Sequence, residues 1–142
     1  MLMELLNQKI QIIQTASDWK DAIRIGAQPL LDNDSIEERY VDAMIKMCEE
    51  LDAYIVLADL FAMPHASPGS GAKKMDVALT IVKEAVDFIG KPVQVILTLA
   101  AVDSHSHLAL LQEVASTLGD EEKILRLIQA ESSDEILKIL AS

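Results

Sequence analysis

The sequence predicts a single α/β domain in which a mixed β-sheet is flanked by helices. Helical spacing of apolar residues dominates the first and last thirds of the chain, while short apolar runs rich in β-branched residues fill the middle. Few of those runs are joined by the crossovers that consecutive parallel strands need, so the sheet is expected to be mixed rather than doubly wound. A chain of 142 residues, 51% of them hydrophobic, suits one domain with its own core. Aromatics make up only 4%, so Leu, Ile, Val, Ala and Met must build that core.

In order along the chain, Ile10 to Thr15 alternates weakly and reads as a short strand. Ser17 is the expected N-cap of a helix from Asp18 to about Leu31, with Ala22, Ile23, Gly26 and Leu30 at helical spacing. Asp32-Asn33-Asp34 is a turn. Ser35 with Glu38 has the capping-box spacing, so the second helix is expected to start there. Val41, Met44, Ile45 and Cys48 mark its inner face to about Leu51. Tyr54 to Ala58 is a short apolar run and reads as a buried strand. Phe61 to Pro64 is extended, because a residue before proline avoids helical angles. Pro68, Gly69 and Gly71 make the next segment a loop. Asp76–Val82 and Val93–Ala101 read as strands, with Gly90 and Pro92 in the connection between them. Three helices are expected to close the chain: one capped by Ser104 and running through His107 to Leu118, one capped by Asp120, and one opened by the Ser132/Glu135 pair.

Composition excludes several classes of function. A net charge of −11 repels nucleic-acid phosphates and anionic lipid, and suits solubility or a basic protein partner. One cysteine, Cys48, rules out an internal disulfide and a multi-thiolate zinc site. Its place in a helical pattern suits a small apolar residue of the core. No stretch approaches the roughly 18 apolar residues that span a bilayer, and the start lacks the features of a signal peptide, so the cytoplasm is the expected compartment.

The chemistry concentrates at His65. An apolar run ends in Met63-Pro64-His65, followed by the small residues Ala66 and Ser67 and then Gly69. Proline stiffens the approach, and small neighbours leave one side of the ring open. A lone histidine is more often structural than catalytic, but this setting suits presentation to a large partner. His105 and His107 follow the Val93–Ala101 strand, and if that strand neighbours the Phe61–Pro64 piece the imidazoles could meet.

Three chemistries fit. His65 can be a nucleophile that takes and hands on a phosphoryl group, with His107 holding the ring or the phosphoryl oxygens. His65, His105, His107 and Asp103 can bind a metal, although the His-x-His pair sits at a strand-to-helix corner where alternation fails. His65 can serve as base for Ser67 or Ser70, although no nucleophile elbow is present. Gly69-Ser70-Gly71-Ala72-Lys73-Lys74 lacks the spacing of a phosphate loop and reads as a flexible loop whose lysines are either solvated or attract an anion.

Taken together, Ala62-Met63-Pro64-His65, Ala100-Ala101-Val102-Asp103 with His107-Leu108, and the tail Leu118-Gly119-Asp120-Glu121-Glu122 resemble the enzyme IIA components of the bacterial sugar phosphotransferase system, of the mannitol/fructose type. The likeness runs over nearly all of residues 1–142 as one type-2 EIIA domain and is greatest to the ascorbate-type branch. It implies a mixed sheet flanked by helices. It also implies a phosphotransferase role: His65 would accept a phosphoryl group from phospho-HPr and pass it to a cysteine of a cognate enzyme IIB, with the membrane component IIC downstream.

The resemblance makes His107 the second histidine of the site, implies no metal and no organic cofactor, and implies neither nucleic acid nor direct membrane insertion. Ascorbate or a pentitol is the implied sugar, and an oligomer is left open. Mannitol-type members carry an arginine on the helix before the motif, at a place that falls near Met47 here when counted from Tyr40, and adjacent Lys46 points elsewhere on the helix, so what balances phosphoryl charge is unassigned. His105 is extra to the pattern. Phe61 and Met63 are expected to offer apolar docking surface. Regulatory homologues share the domain, so a protein signalling by its phosphorylation state is the second reading, and a metal-dependent hydrolase the third.

Overall fold

The computed structural model describes residues 2–52, 54–103 and 108–142. Along them run α1 (Leu2–Leu6), β1 (Ile10–Ile13), α2 (Trp19–Asp32), α3 (Glu38–Glu50), β2 (Val56–Ala58), β3 (Leu60–Ala62), β4 (Asp76–Phe88), β5 (Lys91–Ala100), α4 (Leu108–Leu118), α5 (Glu121–Gln129) and α6 (Ser133–Ala141). The sheet order is β1-β4-β5-β3-β2. Pairing is parallel for β1/β4 and β3/β5 and antiparallel for β4/β5 and β2/β3, so the sheet is mixed, as expected.

Both faces of the sheet are covered. Ala78, Val82, Val93, Ile96 and Ala100 pack with α2 and α3. Val77, Leu79, Ile81, Val95, Leu97 and Leu99 pack with α1 and α4–α6. Burial on both sides is why the central strands read as unbroken apolar runs rather than alternating ones. Helix α2 approaches the sheet closely at Gly26, where a Cβ would come 2.9 Å from Thr98 Oγ1. Near its end α2 contains Pro29, which has no N–H to offer the Ile25 carbonyl one turn back. The Gln11 side-chain amide donates to that carbonyl instead, at 2.9 Å.

Several expectations need correction. The N-cap of α2 is Asp18, whose side chain accepts from Asp21 N–H, whereas the Ser17 N–H donates to Asp21 Oδ2. Helix α3 starts at Glu38 with Glu37 as N-cap, not at Ser35. The Ser35 hydroxyl is buried and donates to the buried carboxylate of Asp76. Asp76 also takes Lys9 Nζ at 3.2 Å, Asn33 Nδ2 at 3.0 Å and its neighbour's Val77 N–H at 2.9 Å. A buried charge needs such partners, and here they outweigh a helix cap. Strand β2 is not buried: it pairs on one side only, and Leu57 and Ala58 are exposed.

Strand β4 runs on to Phe88 through a register shift between Ile81 and Val86, and meets β5 through the two-residue turn Ile89-Gly90, both at positive φ. Helix α1, which the sequence reading left unassigned, buries Leu2 and Leu6 against α4 and α6. The caps at Asp120 and Ser132 are as expected, although Glu135 turns its carboxylate to Glu131 N–H rather than closing the capping box on Ser132. The expected Ser104 cap and His107 lie outside the described residues. Among the described residues no helix is long and apolar enough to cross a membrane.

One side chain ties α3 to the ends of the sheet. Tyr40 is fully buried, and its hydroxyl donates to the Leu99 carbonyl at 2.9 Å while accepting from Ala66 N–H and Ala101 N–H, each at 3.1 Å. Burial pushes the phenol pKa up, so the group stays a donor. One O–H and two lone pairs thus satisfy three backbone groups on two separate segments. Tyr40→Phe leaves those groups unpaired inside the protein and is expected to cost roughly 2–4 kcal/mol of stability. Urea unfolding measures this, and an unchanged midpoint would show that the backbone groups find other partners.

Candidate active site

Strand β3 carries the chain toward His65. Its pairing extends past Ala62: Met63 N–H donates to the Ile55 carbonyl at 2.8 Å, and the Pro64 carbonyl accepts from Leu99 N–H at 2.9 Å. Pro64 has no N–H to satisfy and is itself buried, so it closes the strand without an orphan donor. Immediately beyond, Ala66 is locked by the Tyr40 hydroxyl. His65 is therefore held between two fixed backbone points at the C-terminal end of β3, with its ring half-buried. Ligand sites commonly form at such strand ends.

The ring orientation is specified. Nδ1 lies 2.8 Å from the carbonyl oxygen of Met63. A carbonyl only accepts, so Nδ1 carries the proton, and in the neutral ring the lone pair resides on Nε2. The Tyr54 ring meets the imidazole edge-on, with centroids 5.2 Å apart and planes at 71°. Its hydroxyl donates to the His65 carbonyl at 3.0 Å. Burial, with smaller contributions from Tyr40 and Cys48, pushes the Tyr54 phenol up to about 12. Behind Tyr54 stands Met47, whose sulfur is 3.9 Å from the phenol oxygen and 3.8 Å from Ser67 Oγ. Met47 thus borders the site, as its place on the helix implies, and presents a thioether rather than a cation.

The loop after His65 is pinned at its far end. Gly71 has φ +127°, and a Cβ there would come within 2.9–3.2 Å of Arg39 Cγ and of Tyr40 backbone N and Cβ. Arg39 donates to the Gly69 carbonyl at 3.2 Å and pairs with Glu37. Lys73 pairs with Asp34, whose carboxyl it holds below the usual range, and the Lys73 N–H donates to the Ser35 carbonyl. Glu37 N–H takes the Gly71 carbonyl. These bonds secure the loop to the start of α3, and Lys73 answers an intrachain carboxylate.

Of the residues singled out from sequence, the structure fixes His65 and leaves His105 and His107 outside the described residues. The condition for the imidazoles to meet is fulfilled in part, since β3 and β5 are parallel neighbours. Among the described residues no group of three or more His, Cys, Asp or Glu is placed to hold a metal. Ser67 directs its hydroxyl to the Met47 sulfur. Cys48 is buried in the α3 core face, in line with its apolar reading. Phe61 and Met63 are core residues, 4% and 5% exposed, rather than an open docking surface. They form the floor of an apolar groove of about 480 Å³ whose walls include Leu57, Leu111 and Val114. Leu57, 53% exposed, is its most exposed large apolar side chain. Tyr54 and Tyr40 were missed as site residues; the one signal for Tyr54 was a hydroxyl in an otherwise apolar run.

Comparison with known proteins matches the arrangement to one family. The model of the phosphoenolpyruvate-dependent sugar phosphotransferase system EIIA 2 family covers residues 4–142. The chain is 33% identical over 138 residues to the ascorbate-specific EIIA component of Shigella flexneri, covering 94% of this chain and 90% of that one. It is 34% identical over 134 residues to the mannitol-specific cryptic phosphotransferase enzyme IIA component of Escherichia coli K12, covering 93% and 91%. The solution structure of that cryptic enzyme IIA from E. coli superposes with a TM-score of 0.90 at 32% identity, over 99% of each chain. The fold is also that of E. coli mannitol enzyme IIA solved in complex with phosphorylated enzyme IIB, with a TM-score of 0.80 at 24% identity over 94% of each chain. A histidine mounted on a fixed strand end, in a chain matched along almost its whole length, belongs to a phosphocarrier of sugar uptake: the chain is a member of the type-2 EIIA family of the phosphoenolpyruvate-dependent sugar phosphotransferase system.

Proposed function

We propose that His65 is the residue that carries the phosphoryl group, through Nε2. The observation that carries this reading is the Nδ1···Met63 carbonyl bond, which puts the neutral ring's proton on Nδ1 and its lone pair on Nε2. In the first half-reaction Nε2 attacks the phosphorus of phospho-HPr. The donor's N–P bond breaks, its electrons return to the donor imidazole, and an Nε2–P bond forms on His65. In the second half-reaction a cysteine thiolate of the cognate enzyme IIB, its proton already lost to solvent, attacks the same phosphorus and His65 leaves as neutral imidazole. Nδ1–H stays on the Met63 carbonyl throughout. Little machinery beyond positioning is needed for such transfers.

His107 is the second member of the site and holds the phosphoryl oxygens or the ring. The parallel pairing of β3 with β5 supports its approach to His65. HPr and enzyme IIB dock in turn around His65. A relative of this fold solved with phosphorylated IIB supports the second of these partners. The membrane component IIC acts downstream, and the exchange takes place in the cytoplasm. Relatives that handle ascorbate and mannitol are equally similar, so the sugar belongs to that group of acids and polyols, and its choice lies with IIC.

Incubation with phospho-HPr should give one acid-labile phosphate per chain, and His65→Gln should abolish it; labelling that persists in His65→Gln would refute the assignment. His107→Ala should still become labelled but should pass phosphate to IIB about tenfold more slowly, the loss of one charge-assisted hydrogen bond. Onward rates equal to the parent's would remove His107 from the site.

A further inference from the structure

We propose that Tyr54 is a positioning residue for phosphoryl transfer: it fixes the plane of the His65 ring from one side while holding the His65 backbone from the other. The proposal rests on His65 being the phosphoryl carrier.

The hydrogen bond from Nδ1 to the Met63 carbonyl sets one axis of the imidazole. Rotation about that axis would swing Nε2 through an arc. The edge-on Tyr54 ring stands in that arc, at a centroid distance of 5.2 Å. Aromatic pairs favour this tilted arrangement over a parallel sandwich, so the contact prefers one ring plane. The phenol O–H then donates to the carbonyl of the same residue at 3.0 Å, which ties the Cα from which the ring hangs.

Tyr54 is itself constrained. It directly precedes Ile55, whose carbonyl accepts from Met63 N–H, so the tyrosine and the acceptor of Nδ1 sit on paired segments. The Met47 sulfur packs against its hydroxyl. With its pKa pushed up to about 12, the phenol remains a donor at neutral pH. Two partner proteins must reach the same Nε2 in line with phosphorus. A misplacement near 1 Å can slow such a step about 10²-fold, so a ring held in one plane serves both half-reactions.

The test measures steady-state transfer from phospho-HPr, with phospho-HPr varied, in Tyr54→Phe and Tyr54→Leu of the full chain. The ¹⁵N resonances of His65 report its tautomer in each variant, and His65→Gln runs in parallel. Tyr54→Leu, which loses both contacts, is expected to lower kcat by about 10²-fold with KM little changed, and to mix the two ring tautomers. Tyr54→Phe keeps the ring contact and is expected to fall between Leu and the parent, which also serves if the Leu variant does not fold. Unchanged kcat, a loss expressed in KM, or a slower rate with the parent's tautomer intact would each overturn the proposal. Labelling that persists in His65→Gln would instead overturn the reading beneath it.

Discussion

The hydroxyl of Tyr40 is the contact on which the site's geometry depends. It sits where α3, the segment leaving β3 and the end of β5 converge, and it bonds one carbonyl and two N–H groups there. Removing water from that corner without the phenol would strand two N–H groups and a carbonyl. With the phenol present, the residue following His65 and the residue following β5 share a single oxygen, so the two walls of the site cannot drift apart independently. The rim that carries His65 is thus fixed from beneath by a fully buried residue.

The sheet explains why the rim lies where it does. In the order β1-β4-β5-β3-β2, the parallel pair β3/β5 sends two chain ends out on the same side. The antiparallel β4 starts at that side too, with Asp76 opposite Ala100. Asp76 then gathers Lys9, Asn33 and Ser35, which fastens the entry to β1 and the α2–α3 connection to the same edge. Buried Ser35 and Asp76 lie at the end of the sheet that carries His65, whereas the far end is a plain two-residue turn at Ile89-Gly90.

Much of this was legible in the sequence, for local reasons. Pro64-His65 followed by small residues announces a presented imidazole through backbone stiffness alone. Asp120 and Ser132 announce caps because their partners lie two or three residues away. What escaped was decided at long range. Ser35 has the pattern of a cap, but its hydroxyl answers a carboxylate 41 residues on. Polar Lys83, Glu84 and Asp87 look like a connection, yet they lie on β4, the first two within its irregular stretch and Asp87 beyond it. Leu2 and Leu6 form too short a pattern to be read until α4 and α6 are there to cover them. Tyr40 and Tyr54 look like ordinary inner-face residues, because their hydroxyl partners are carbonyls and amides that carry no sequence signature. Met47 is the reverse case: its neighbourhood follows from its helix position, and its thioether shows that the site edge is built here without a guanidinium.

The pairing of Pro29 with Gln11 restricts how the chain can drift. The proline leaves a carbonyl of α2 without its helical donor, and a side chain from β1 supplies one. Gln11 can be exchanged without cost only once Pro29 has gone, since its early loss leaves the Ile25 carbonyl without a donor, whereas loss of Pro29 returns an N–H to that carbonyl and leaves the Gln11 amide its bond to Thr80 Oγ1. Pro29 should thus be accompanied by Gln11 through descent, a one-way dependence that couples a helix to a strand through one side-chain amide.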